Sequence, residues 1–213
     1  HNREERPRAD AEKKPDQIAF REPDPDGNYH SVTYRELRRR IDSLARSILD
    51  RCQDPIVGIT GNNSVAWAVT YLATLRAGGI VVPIDRELPV QEMLTILHYS
   101  GANMMFFDER YAQDFQERLA GRDIELVVMN TPHLKGVPTH DDLVREGSGI
   151  AVTLPDTWDC DAPASICYTS GTTGQAKGVV LTQNNLLANI IQMDQTIEIE
   201  DDDVFLSILP VHH

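Results

Sequence analysis

Apolar positions fall along the chain in two rhythms. Short unalternating runs occur at Ile56–Thr60, Ile80–Ile84, Met104–Phe107 and Ile124–Met129. Between them the apolar residues take helical spacing. Ser64 to Arg76 is apolar almost all round and stops at Gly78-Gly79, a helix-ending signal. Pro89 opens a second helix, with Val90, Met93, Leu94 and Leu97 on one face and Gly101 closing it. Tyr111, Phe115 and Leu119 mark a third. Strands without alternation are buried on both faces, so this order predicts an α/β unit: a mainly parallel sheet flanked by helices. The regular spacing of the runs also suits a solenoid, but no consensus residue repeats from unit to unit.

The preceding segment follows other rules. Ile18–Phe20 and Tyr29–Val32 flank the turn-rich Pro23-Asp24-Pro25-Asp26-Gly27-Asn28, which predicts a hairpin. Thr33 and Glu36 have capping-box spacing, and Leu37, Ile41, Leu44 and Ile48 line one face of the helix they open. Residues 1–16 carry charge and two prolines and read as a flexible arm. A looser stretch from about Gly147 to Pro163 divides an α/β subdomain, 17–155, from a segment, 156–213, that starts a second region. Trp67 fits the buried helix and Trp158 the crossing loop.

Charge narrows the partners. Lysine and arginine number 20 against 33 acidic residues, a net charge of −13. Nucleic acid and anionic membrane surfaces select basic footprints and are disfavoured. No apolar run approaches the roughly 20 residues of a membrane span, and the charged start has no secretory apolar centre. Cys52, Cys160 and Cys167 form no CxxC pair and suit a reducing, cytoplasmic setting.

One loop concentrates chemistry. After the strand-like Ala164–Tyr168 comes Thr169-Ser170-Gly171-Thr172-Thr173-Gly174-Gln175-Ala176-Lys177-Gly178, with four hydroxyls, three glycines and one of the chain's four lysines. Glycines let backbone N–H groups converge on an anion, hydroxyls add short donors, and the ammonium neutralises charge. A polyphosphate requires these groups, although a plain Gly/Thr turn has the same composition. The loop is not a Walker loop: Ala176 and Gly178 flank Lys177, and Val179-Val180-Leu181 continues as a strand rather than a helix. The phosphates would sit between two strands. The acidic run Glu198, Glu200, Asp201, Asp202, Asp203 lacks cation-loop spacing and reads as a solvated loop before a strand over Val204–Ile208. No GxSxG elbow or HExxH pair occurs, and no metal-ligand set is assigned.

Tyr168 to Gly178 resembles the signature loop of the adenylate-forming superfamily of acyl-CoA synthetases, luciferases and peptide-synthetase adenylation domains. Its usual form is Tyr-Thr-Ser-Gly-Thr-Thr-Gly-x-Pro-Lys-Gly, so Ala176 stands where proline is usual. Pro15–Phe20, Val32–Leu37, Leu75–Gly79 with Val82–Asp85, and Leu209–His213 are similar to further family segments, in order. The resemblance implies a partial N-terminal domain of a ligase that adenylates a carboxylic acid, with Thr169, Ser170, Gly171, Thr172, Thr173, Gly174 and Lys177 holding ATP phosphates. It implies His213 in the acyl pocket, with His212 packing. MgATP and CoA are the implied cofactors and the carboxylate the small-molecule partner; oligomeric state is left open. The Pro-Val-His-His ending is more like fatty-acid–CoA ligases than amino-acid adenylation domains. An adenylation domain, a non-catalytic phosphate-binding module and a P-loop kinase are the alternatives, the last disfavoured by the strand after the loop. The groups for adenine, ribose and magnesium lie beyond position 213 in such enzymes, so the piece alone is expected to be inactive.

Overall fold

A computed structural model describes residues 14–24, 26–131, 133–157, 159–169, 177–197 and 203–211. The chain opens with the expected hairpin, β1 (Ile18–Pro23) antiparallel to β2 (Tyr29–Thr33), and enters helix α1 (Tyr34–Arg51). Then follow β3 (Ile56–Thr60), α2 (Val65–Arg76), β4 (Ile80–Pro83), α3 (Val90–Ser100) and β5 (Met104–Asp108). A short 3-10 turn at Glu109–Tyr111 leads into α4 (Ala112–Arg118), β6 (Glu125–Met129) and α5 (His140–Gly147). β7 (Pro163–Thr169), β8 (Lys177–Thr182) and α6 (Gln183–Thr196) complete the regular elements.

The main sheet has six strands in the order β6-β5-β3-β4-β7-β8. All pairs are parallel except the last, β7 with β8. Alternate residues of each inner strand go to opposite sides. Val57, Ile59, Val81, Met104, Phe106, Val127 and Met129 pack with Leu44, Ile48, Trp67 and Leu143, beneath α1, α2 and α5. Val82, Ile84, Met105, Phe107 and Val128 pack with Met93, Leu97 and Phe115, beneath α3 and α4. The result is a three-layer α/β/α arrangement, which explains why these strands lack polar alternation. Glycine has a steric job in the central strand: a Cβ on Gly58 would meet Leu97 Cδ2 at 2.6 Å and Met105 Sδ at 2.7 Å.

Helix ends follow local chemistry. Ser64 Oγ accepts the Trp67 N–H at the start of α2, and Gly101 closes α3 in the left-handed conformation at φ 71°. At the start of α1, Thr33 accepts the Glu36 N–H as expected, but Glu36 does not complete the box. Its carboxylate takes Arg39 and Arg40 instead, each at 2.8 Å. Helix α5, opened by a full Thr139–Asp142 capping box, and helix α6, opened by Thr182–Asn185, have no counterpart among the expected helices.

One expected strand is absent. Val204–Ile208 joins no ladder, and its residues are largely exposed, Val204 at 90% and Leu206 at 84%. A strand needs a neighbour for its backbone groups, and none of the described strands pairs with this stretch. Trp158, residues 1–13 and the acidic positions 198, 200, 201 and 202 lie outside the described residues. None of the three cysteines is in a disulfide; Cys160 is exposed and Cys52 and Cys167 are half-buried. Among the described residues no helix is long and apolar enough to cross a membrane.

The packing can be tested at two points. At Gly147, where α5 meets α1, a Cβ would fall 1.8 Å from the Ser43 carbonyl oxygen, beside the Ser47 Oγ to Leu143 carbonyl bond of 2.6 Å. Gly147→Ala should therefore cost about 3 kcal/mol by forcing the helices apart, read by denaturant unfolding. The second point is Glu36: the hydrogen bond from Arg39, with Arg40 assisting against partial burial, lowers its carboxyl from 4.5 to about 2. Stability from this cluster is fully present above the unfolded carboxyl's range and is lost as pH falls through about 2. Glu36→Gln should lower the melting temperature at pH 7, with the gap closing by pH 2.

Candidate active site

Parallel strands share a direction, so β3, β4, β5, β6 and β7 all end at one edge of the sheet. From that edge β3 leads to α2 on one face, whereas β4 leads to α3 on the other. The chain diverges there, at the kind of switch point where open α/β sheets place a ligand crevice outside their carboxyl ends.

Polar residues collect at this edge and brace one another. Asp108, 6% exposed, accepts the Asn62 N–H at 2.7 Å and the Asn130 Nδ2 at 2.8 Å. Asn130 holds φ 56° and also reaches Ser64 Oγ at 3.2 Å, so the cap of α2 belongs to the same network. A Cβ on Gly61 would lie 2.6 Å from Asp108 Oδ1, so glycine there makes room for the buried carboxylate. Across the crevice Arg86 donates to the Asn62 side chain, while the Arg86 carbonyl accepts the Tyr111 hydroxyl at 2.6 Å. Burial pushes the Tyr111 phenol up, and the charge of Arg110 opposes it.

β7 and β8 bring the two ends of the sequence-predicted loop, Thr169 and Lys177, to this edge. Val81 pairs with Ser165, which aligns β7 beside β4. Thr169 closes β7 directly opposite Lys177, which opens β8. In an antiparallel ladder such partners are about 5 Å apart at Cα, so a hydroxyl and an ammonium flank the loop's mouth. Both residues are exposed. Ser170, Gly171, Thr172, Thr173 and Gly174 lie outside the described residues, as do His212 and His213. The next residue pair explains the ends of the motif. Tyr168 faces Gly178, where a Cβ would meet the Tyr168 ring at 3.2 Å and Ile166 Cγ2 at 3.0 Å. On the sheet's other side Trp67 stacks on Tyr71 at 5.5 Å, and the Tyr71 phenol, raised by burial, reaches Ser165.

The segment before His212 comes to the same edge. Asn63 Nδ2 donates to the Leu209 carbonyl at 2.7 Å, and Asn63 Oδ1 accepts the Val211 N–H at 3.2 Å. The hairpin mouth and this segment are both placed at the crevice edge of the sheet.

Residues 7–213 match the family model described as AMP-binding enzyme. The chain belongs to the AMP-binding enzyme family. It is 31% identical to a nonribosomal peptide synthetase of Emericella nidulans, covering 73% of this chain and 6% of that protein. It is 29% identical to a chloroplastic long-chain-fatty-acid–[acyl-carrier-protein] ligase of Arabidopsis thaliana, covering 97% of this chain and 31% of the ligase. Indoleacetate–CoA ligase of Aromatoleum aromaticum is also 29% identical, over 94% of this chain and 38% of that protein. The chain thus spans well under half the length of these relatives. Among solved structures, ATP-bound MatB from Rhodopseudomonas palustris superposes with a TM-score of 0.74 at 25% identity, covering 94% of this chain and 39% of the other. O-succinylbenzoate coenzyme A synthetase from Bacillus subtilis, in complex with ATP and magnesium ion, gives 0.77 at 22% identity over 97% and 51%. That second likeness is one of fold.

Within this AMP-binding fold, sequence reasoning found the hairpin loop but not Asn62, Asn63, Arg86, Asp108 or Asn130. A usable signal existed: each follows or ends a predicted parallel strand, and such positions converge on one edge whatever their spacing in sequence.

The Tyr168–Gly178 pair generates a test of the stem. Gly178→Val should spread the hairpin and speed amide exchange at Ile166–Tyr168 by about tenfold. Unchanged protection there would show that the ring does not depend on the bare backbone opposite.

Proposed function

We propose that the protein carrying this chain activates a carboxylic acid with MgATP and then forms its CoA thioester. The observation that carries the reading is the hairpin mouth, Thr169 opposite Lys177, at the carboxyl edge of the sheet in an AMP-binding family chain. In this reading Thr169, Ser170, Gly171, Thr172, Thr173, Gly174 and Lys177 hold the β- and γ-phosphates. A carboxylate oxygen attacks the α-phosphorus, the bond to pyrophosphate breaks, and acyl-AMP forms. The CoA thiol then attacks the acyl carbonyl, its proton leaves to solvent, and AMP departs. Lys177 and the loop donors offset charge on the leaving pyrophosphate and orient it. Magnesium enters on ATP; among the described residues no group of three His, Cys, Asp or Glu side chains could hold a metal.

The acid is apolar, fatty or aromatic, and His213 lines its pocket. The wall segment Leu209-Pro210-Val211 carries no acid that would pair with the ammonium of an amino acid, and an unpaired buried ammonium is costly. Residues 156–213 hold the phosphate loop and the start of this pocket, and cysteines outside any disulfide suit a cytoplasmic enzyme. The peptide-synthetase relative supports a second reading, activation of an amino acid.

ATP–pyrophosphate exchange on the whole protein, run with fatty, aromatic and amino acids, separates the two. Exchange with apolar acids is expected, and preferential exchange with an amino acid refutes the substrate assignment. Lys177→Ala should slow single-turnover adenylation about 10²-fold, as loss of one preorganised charge does. A wild-type rate in that variant removes Lys177 from the phosphate site.

A further inference from the structure

Asn63 stands three residues beyond the end of β3, on the rim of the crevice. Its carboxamide faces the backbone of a segment almost 150 positions away. Nδ2 donates to the Leu209 carbonyl at 2.7 Å and to Ser207 Oγ at 3.3 Å, while Oδ1 accepts the Val211 N–H at 3.2 Å. A carboxamide has the donor and acceptor of a peptide group, so this side chain takes the place of a neighbouring strand's backbone. Pro210 between the two bonded residues has no N–H and a fixed φ, which limits the ways the segment can answer.

The rest of that segment is weakly held. Val204 to Leu209 joins no ladder, and Leu209 is 77% exposed. Val211 alone of its apolar residues packs on the core beneath α1 and α2. By contrast Asn63 is firmly based. The preceding Asn62 is tied by its N–H to buried Asp108, and the following Ser64 caps α2. A rigid support at the sheet edge therefore grips a loosely attached segment.

We propose that Asn63 is a positioning residue for the acid: its carboxamide fixes the Leu209–Val211 backbone and so sets the wall against which the acid binds. The substrate part of this claim rests on the ligase reading above; the anchoring part does not. Asn63 touches no reacting atom, and its effect falls on the acid rather than on ATP, whose phosphates belong to the hairpin mouth.

The test uses the whole protein. Asn63→Ala should speed exchange of the Val211 amide about tenfold and raise the KM for the acid about tenfold, leaving the KM for ATP and the melting temperature close to wild type. Asn63→Asp keeps the acceptor for Val211 but loses the donor to Leu209, and should fall between. Val211→Pro deletes the bonded N–H, with Val211→Ala as the control for the side chain; Asn63→Ala combined with Val211→Pro should cost less than the sum of the two single changes, because the bond between Asn63 Oδ1 and the Val211 N–H is lost in both, while the bond to the Leu209 carbonyl is lost only with Asn63. Unchanged Val211 exchange in Asn63→Ala overturns the anchor. Faster exchange with an unchanged KM for every acid, equal losses for acid and ATP, or full additivity in the double variant overturns the positioning role. If the wild type shows no acid-dependent exchange of pyrophosphate, the ligase reading fails and takes the substrate part with it, while the Val211 amide still decides the anchor.

Discussion

Double burial of the central strands is the constraint on which the molecule depends. Val57, Ile59, Met104 and Phe106 are committed to one core, and Met105 and Phe107 to the other. A slip of one residue would exchange these faces and send each side chain into the wrong layer, so the register is fixed strongly. Parallel pairing in fixed register brings the strand ends to a common edge. The polar groups of the crevice stand at that edge because its strands cannot shift.

The edge itself is built from polar groups that compensate one another. Asp108 would be costly as an isolated buried carboxylate, but it accepts from Asn62 and Asn130. Those bonds shape the turns after β3 and β6, and through Asn63 they extend to the distant Leu209–Val211 segment. Gly61 and Gly178 contribute by what they lack, leaving room for a carboxylate in one case and for an aromatic ring in the other. The crevice is thus set by backbone close approaches and by hydrogen bonds from short side chains.

Much of the architecture was legible because it rests on local pattern. The four apolar runs and the intervening helices follow from burial on two faces, and Gly78, Gly101 and Ser64 stop or start helices where their own chemistry requires. The failures have a common physical source in partners that sequence spacing does not reveal. Glu36 had the spacing for a capping box but met two arginines on its own helix. Val204–Ile208 has strand-like residues, yet a strand exists only if another backbone pairs with it. The candidate site divides in the same way. The hairpin loop is contiguous and could be read directly, whereas Asn63 and Asp108 acquire meaning only when the sheet has brought 62, 108, 130 and 209 together.

In the proposed reaction an acid oxygen attacks the α-phosphorus of ATP held at this edge. Labelling the acid's carboxylate with 18O and following the label through thioester formation by the whole protein tests it most directly. One 18O atom is expected in AMP and none in pyrophosphate. Label in phosphate or pyrophosphate, or its absence from AMP while thioester accumulates, would contradict it.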